Sequence, residues 1–346
     1  MYVAEYLPRL CKISIKLDLP HDTKLISAIG IRQSSLVIQT STTLVVPLPI
    51  HDLSILELAK VTGVNISENV MSLIITVDGS TGEPEDTSFM SLAQSGTQKW
   101  SVKDLVKKTP RNSSNINEFE FCCGKCDLSI IKASENKFMD MPSEFWHEMM
   151  DFWHCHKPHE HHHLDNDKNY NGKLLPAPGN VHIGASYILT AGDKTECPKC
   201  GQILGVAEEK CVRLFKWNMN LKYGNTTETF PAYAFVFYLL LDKVNSSAIR
   251  KVSLRSESLS MNVWVSNLGL DVSVTGTVLT NALKILYVAS PEVLEDEVID
   301  VPAEVFDSFR EQIEDVYLRL PEESRTLVML ESNKKIKYCV SYLLAE

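Results

Sequence analysis

Apolar and polar residues alternate through much of the first third of the chain. "CKISIKLDL" (Cys11–Leu19) repeats with the period of two that marks a half-buried strand. "SSLVIQTSTTLVVPLPI" (Ser34–Ile50) carries two β-branched runs around a polar turn, and "VMSLIITVD" (Val70–Asp78) adds another run before the turn "GSTGEPED". "KDLVKKTPRNSSNIN" predicts a short helix that stops before Pro110. Further on, "NEFEFCCGKCDLSIIK" reads as strand, tight turn and strand, and "HIGASYILTA" returns to a strand. A second cysteine turn follows in "TECPKCGQILGVAEEKCVRLF".

Helical periodicity takes over in three places. After Ser143, a suitable N-cap, Trp146, Met149, Met150 and Trp153 recur along one helix face, a packing stripe rather than a ligand box. "PAYAFVFYLLLDKVNSSAIRKVSLR" reads as a helix with Pro231 suited to its first turn, although its Phe and Tyr content keeps a strand open. "PAEVFDSFREQIEDVYLRL" (Pro302–Leu320) gathers Val305, Phe306, Phe309, Ile313, Val316, Tyr317 and Leu320 on one face and acids on the other. "SLSMNVWVSNLGLDVSV" and the closing "KKIKYCVSYLLAE" are strand patterns. The expected fold is mainly β with several helices, a β-rich α+β chain of sandwich or barrel-like sheets around a structural zinc site. Expected regions are residues 1–116 (β-rich), 117–225 (cysteine turns and a His-rich loop) and 226–346 (α+β), or one intertwined domain.

The chain has 346 residues, 44% hydrophobic and 23% charged, which are ordinary globular proportions. No apolar run reaches the roughly 20 residues that span a bilayer, and the N-terminus lacks the pattern of a signal peptide. A soluble intracellular protein is expected, with no membrane partner. A formal net charge of −10 without a basic stripe argues against direct nucleic-acid binding. The acids around residues 291–316 read as a solvated helix face, with a docking surface for a basic partner as the sharper alternative.

The candidate chemistry is cysteine chemistry. Cys123 and Cys126, and Cys197 and Cys200, are two C-x-x-C pairs in tight turns, each able to aim two sulfurs at one cation. Four thiolates favour tetrahedral zinc. A redox dithiol and buried structural cysteines are the competing readings. Between the pairs lies "FWHCHKPHEHHH", with six of the ten histidines. Cys155 and His156 can complete a metal site or occupy a second one, whereas His159, His161, His162 and His163 read as a solvated polar loop. Neither G-x-S-x-G nor a phosphate loop occurs, and "HEHHH" (His159–His163) has the letters of H-E-x-x-H but sits in a polar, unpatterned stretch that does not fit the helical zinc-protease setting. Cys122, Cys155 and Cys211 are the candidate nucleophilic thiols, with Cys339 in a buried strand pattern.

In order, "CCGKC", Trp146, Trp153, Cys155 and His156, "IGASYIL", "CPKCG" and "MNVWVSNLGLDVS" resemble the HECT-like family of ubiquitin-conjugating-enzyme-binding proteins. The resemblance is densest between Cys123 and Leu270 and is greatest to a fungal branch linked to cleavage and polyadenylation. It implies a partner-binding role in the nucleus and cytoplasm. The implied partners are the endonuclease subunit of the pre-mRNA 3′-end cleavage machinery, which it would stabilise, and a ubiquitin-conjugating enzyme. It also implies that the two Cys pairs and the Cys155–His156 pair match family positions. The alternative activity is ubiquitin-protein ligation, with Cys155 the candidate thioester residue. HECT ligases proper use a thiolate in an exposed loop near the C-terminus, where this chain has Cys339 in an apolar strand pattern.

Overall fold

Strands dominate the computed structural model, which describes residues 1–20, 26–67, 69–77, 98–109, 118–141, 175–208, 210–257, 259–289, 297–331 and 334–345. The chain divides into two units, residues 1–93 with 250–345 and residues 94–249. The first is built in two passes. Before leaving it the chain lays down β1 (Tyr2–Leu7), β2 (Lys12–Asp18), β3 (Ala28–Arg32), β4 (Ser35–Gln39), β5 (Thr43–Pro47), β6 (Lys60–Ser67) and β7 (Val70–Thr76). The second unit holds α1 (Val102–Lys108), β8 (Glu120–Cys123), β9 (Ser129–Lys132), β10 (Lys137–Asp140), β11 (Asn180–Ile183), β12 (Tyr187–Ala191), β13 (Gly205–Glu208), β14 (Cys211–Phe215), β15 (Met219–Tyr223), β16 (Thr226–Thr229) and α2 (Ala234–Ser247). The return pass supplies β17 (Lys251–Ser256), β18 (Leu259–Val274), β19 (Thr277–Ala289), β20 (Val298–Asp300), α3 (Ala303–Arg319), β21 (Thr326–Glu331) and β22 (Lys334–Leu343).

In the first unit a ten-stranded sheet runs β21-β22-β19-β18-β1-β2-β7-β6, with β17 paired to β18 and β20 to β17. β1 is the seam between the two passes. It pairs with β2 on one side and, through Val3 opposite Val274 and Glu5 opposite Val272, with β18 on the other. Glu5 is held there by the Lys284 ammonium and the Tyr342 hydroxyl, both 2.7 Å from its Oε1, so strands from both passes share one satisfied carboxylate. A three-stranded sheet, β3-β4-β5, faces the N-terminal strands. Leu36, Ile38 and Val46 share one buried cluster with Ile13, Ile15 and Leu17 of β2 and Met71, Leu73 and Ile75 of β7. The period-two pattern thus fills the space between two sheet faces.

α3 buries Val305, Phe306, Phe309, Ile313 and Val316, as its sequence stripe predicts, and Leu320 just beyond its end. Tyr317 is only half-buried, with the Arg325 guanidinium 5.5 Å from its ring centre. The helix is fixed to β22 by the Ser341 hydroxyl, which donates to the Ile313 carbonyl at 2.7 Å.

Two sequence expectations change. The helix expected from Pro231 through Arg255 ends at Ser247. Ala248 turns left-handed (φ 56°), and the Ile249 N–H bonds back to the Lys243 carbonyl at 3.3 Å, which frees Lys251–Ser256 to become β17. The single strand expected over "HIGASYILTA" is a hairpin, β11 and β12. A Cβ at Gly184 would lie 2.5 Å from the Tyr187 ring, so any larger residue in the turn between them must displace that ring. The mainly β expectation stands, with three α-helices among the described residues. The Trp-striped helix after Ser143 and most of the His-rich loop lie outside the described residues.

Truncating Phe309, fully buried, to Ala should cost roughly 3–5 kcal/mol by the usual cavity penalty. Leu318→Ala, on the exposed side of the same helix, should stay within about 0.5 kcal/mol. Urea unfolding followed by far-UV circular dichroism compares them, and equal losses would contradict the packing of α3.

Candidate metal centre

The second unit contains a four-stranded sheet, β16-β15-β8-β9, and a five-stranded sheet, β10-β11-β12-β14-β13. Cys123 ends β8, and the chain reverses through Gly124–Leu128 into β9. The Cys123 N–H donates to the Leu128 carbonyl (2.8 Å), and the Asp127 N–H donates to the Cys123 carbonyl (3.0 Å). The second turn repeats this pattern. The Cys197 N–H donates to Gln202 O (2.8 Å) and the Gly201 N–H to Cys197 O (2.9 Å), with Glu196 and Ile203 bridged at the turn's base. The fifth residue of each turn is left-handed, Asp127 at φ 58° and Gly201 at φ 68°. Two-residue spacing between cysteines therefore yields the same turn twice, each presenting both sulfurs on one side.

The first turn is seated on the segment before β15. The Gly124 N–H donates to Asn218 O at 2.9 Å, and Met219 pairs with Cys123. A Cβ at Gly124 would lie 3.0 Å from that carbonyl oxygen, so the residue between Cys123 and Lys125 must be small. The segment is anchored in turn by Lys216, whose side chain is fully buried. Its amine donates to the carbonyls of Lys99 (2.8 Å) and Ala185 (3.1 Å). Burial lowers the Lys216 pKa to about 7, against the pull of Asp140 and Asp104. Asp127 compensates for its left-handed backbone by accepting from the Asn220 amide (3.1 Å) and pairing with Lys222 (3.3 Å), and these contacts hold its carboxyl below the usual range.

The four sulfurs of Cys123, Cys126, Cys197 and Cys200 all lie within 4.8 Å of one another. The two closest approaches cross between turns: Cys126 to Cys197 at 3.5 Å and Cys123 to Cys200 at 3.7 Å. A disulfide needs about 2.05 Å, so these are free thiols. A tetrahedral metal with bonds of about 2.3 Å separates its sulfurs by about 3.8 Å, close to those crossing contacts. The donor set and its spacing fit a thiophilic cation, and these residues can hold one. Cys123 and Cys197 are buried, while Cys126 and Cys200 are half-buried. Leu204, Ile131 and Met219 belong to the same apolar cluster.

Electrostatics explains why a cation suits this cluster. Burial opposes ionisation of Cys197, but the backbone N–H groups of Lys199 and Cys200 lower its pKa to about 6. The Leu128 N–H favours the Cys126 thiolate, yet burial and the three neighbouring sulfurs outweigh it and push that thiol up to about 12. Burial also raises Cys123. One thiol ionises readily and its neighbours then resist, unless a positive charge enters between them.

The other candidate thiols are not gathered here. Cys122 points away from Cys123 across the strand, and burial, then Glu120, pushes it up to about 11. Cys211 is buried at the start of β14, with its sulfur 3.8 Å from a Glu208 carboxylate oxygen. Cys339 is half-buried in β22, and burial raises it. Cys155, His156, His159, His161, His162 and His163 lie outside the described residues. Sequence reading missed the supporting roles of Asn218 and Lys216. Neither carries a motif, and only the pairing of β15 with β8 brings them to the turn.

The model of a family described as HECT-like ubiquitin-conjugating enzyme (E2)-binding matches residues 5–331. Among curated proteins, "Uncharacterized protein YJR141W" of Saccharomyces cerevisiae is 30% identical over 223 residues, which is 59% of this chain. The chain thus spans 60% of that relative's length. No solved structure matches.

Gly201→Ala introduces no contact within 4 Å and should lose only the left-handed penalty, roughly 1–2 kcal/mol. Gly124→Ala must displace the Asn218 carbonyl and should lose more. Paired urea titrations decide this, and an equal or smaller loss for Gly124→Ala would show that the turn tolerates separation from that segment.

Proposed function

The chain belongs to the HECT-like ubiquitin-conjugating enzyme (E2)-binding family, and on that premise we propose that it is a ubiquitin-pathway binding protein that engages a ubiquitin-conjugating enzyme. The family match across residues 5–331, which reaches into both units, carries this reading. We assign the four-cysteine cluster a structural zinc ion. The tetrahedral spacing and all-thiolate donor set support that choice over oxygen-seeking metals. With four protein ligands the ion would have no open position for substrate. Its part would be to tie the Cys123 and Cys197 turns together, with Cys123, Cys126, Cys197 and Cys200 as thiolates.

Binding is favoured over thioester transfer through the late cysteine by the setting of Cys339. Transfer needs an exposed sulfur that ionises near neutrality. Cys339, the thiol nearest the C-terminus, pairs with Tyr287 and Thr326 inside the sheet, and burial holds it protonated. The order of motifs supports a finer reading, in which the chain also holds the endonuclease subunit of the pre-mRNA 3′-end machinery. A protein that binds only the folded form of such a partner stabilises it by mass action.

Metal analysis of the purified chain should find one zinc per molecule, absent from Cys197→Ser and retained by Cys155→Ser. Two zincs, or loss in Cys155→Ser, would replace the four-cysteine assignment with one that includes the His-rich segment. Chelation should lower the thermal midpoint, because metal binding energy is folding energy.

For function, the immobilised chain should retain a ubiquitin-conjugating enzyme from a purified panel, and retention should persist in Cys155→Ser. A reducible ubiquitin adduct that disappears in Cys155→Ser would establish the ligase alternative instead. Retention of the endonuclease subunit and of no conjugating enzyme would support the finer reading and overturn the first.

A further inference from the structure

β21 is the terminal strand of the ten-stranded sheet, and among the described residues it pairs with β22 alone. The pair stays in register from Thr326 opposite Cys339 to Glu331 opposite Lys334, without a bulge. The Val340 N–H donates to the Arg325 carbonyl at 2.8 Å. Antiparallel alternation from that bond turns the N–H and C=O groups of Thr326, Val328 and Leu330 away from β22. The open edge thus carries backbone donors and acceptors beside two of the more exposed apolar side chains of the chain, Val328 (59%) and Leu330 (69%).

The opposite end of the sheet is treated differently. β6 is broken by a register shift between Thr62 and Asn65, with Gly63 left-handed at φ 59°. Such a kink blunts an edge against strand addition. β21 has no proline, no bulge and no lysine of its own. It has charge next door: Val328 faces Lys337 and Leu330 faces Lys335 across the hairpin, and both lysines are exposed. These cations stand out in a chain of net charge −10. α3 reaches the same face only further along β22, at Ser341.

We propose that the outer edge of β21 is a docking edge for an extended partner segment, apolar along one face and acidic at its ends, which joins the sheet as an additional strand. Backbone hydrogen bonds to the outward groups at Val328 and Leu330 supply the pairing, and their side chains meet the apolar face of the incoming segment. Lys335 and Lys337 stand one strand inside that edge, on the same face as Val328 and Leu330, and their charge attracts acids that flank the segment's apolar core. A second copy of this chain is the poorer occupant, because the strand it would offer, Thr326–Glu331, carries one acid, Glu331, which Lys251 and the Tyr338 hydroxyl already engage. The proposal stands apart from conjugating-enzyme binding and survives or fails independently of it.

The test uses the full chain and a short fluorescent peptide of alternating Val and Thr with two Glu at each end, read by anisotropy. Two control peptides carry N-methyl groups on alternate backbone amides, or Lys in place of Glu. The first peptide should bind, and both controls should bind at least about tenfold more weakly. The exposed-site double variant V328K/L330K should lose about tenfold in affinity while its thermal midpoint is unchanged. The pair K335E/K337E should reverse the preference towards the Lys-flanked peptide. No binding of the first peptide, equal binding of the N-methylated one, or indifference to all four substitutions would overturn the proposal. So would a concentration-dependent dimer in sedimentation that V328K/L330K dissociates, since that assigns the edge to a second copy.

Discussion

Four sulfurs held within 4.8 Å of one another impose the constraint around which the second unit is organised. Two identical turns, 71 residues apart by their nearest cysteines, must arrive at one point with their left-handed fifth residues already formed. Every supporting contact serves that arrival. The Asn218 carbonyl receives Gly124, Lys216 anchors the strand entry beside it, and the Asp127 carboxylate is taken up by Asn220 and Lys222. Without a central charge the cluster works against itself, because the first thiolate raises the cost of the next. The geometry and the electrostatics therefore call for the same thing, a cation matched to soft ligands.

The parts of this structure legible in the sequence are those fixed by neighbours along the chain. C-x-x-C spacing specifies a turn by itself, so the members of the sulfur cluster could be read from Cys123, Cys126, Cys197 and Cys200. The α3 stripe was equally readable, since the 3.6-residue period names the buried face. Long-range pairing left no such trace. β1 and β18 carry ordinary apolar residues, and nothing local in Tyr2–Leu7 says that its neighbour is Val272–Val274. Ala248 is a further case. Glycine marks most left-handed helix ends, and an alanine there conceals the boundary between α2 and β17. Gly184 went unread as a turn for the opposite reason, since its role depends on the Tyr187 ring that packs over it.

The two units contribute differently to a binding role. The cysteine turns are short, closed by backbone hydrogen bonds and backed by an apolar core. The ten-stranded sheet offers long strands and open ends. Its interior is reinforced by polar contacts that are satisfied in pairs, such as Glu5 with Lys284 and Tyr342, so its central strands are not available for exchange. Among the described residues, exposed surface includes the margins of that sheet and the acidic face of α3.

The seam at β1 has a consequence for how the chain is made. Its partner β18 lies more than 250 residues downstream, as the bond from the Tyr2 N–H to the Thr275 hydroxyl, 273 positions away, makes plain. A ribosome releases β1–β7 long before β17–β22 exist, so the first pass emerges with one side of β1 unpaired. The second unit, by contrast, is one continuous stretch holding all four cysteines. It can bring its four clustered cysteines together while the first unit is still half-synthesised. Vectorial synthesis thus leaves an interval in which a finished insert separates two unfinished halves of a sheet. In that interval the unpaired strands are exposed to wrong partners, and the cell must shield them until the last strands arrive.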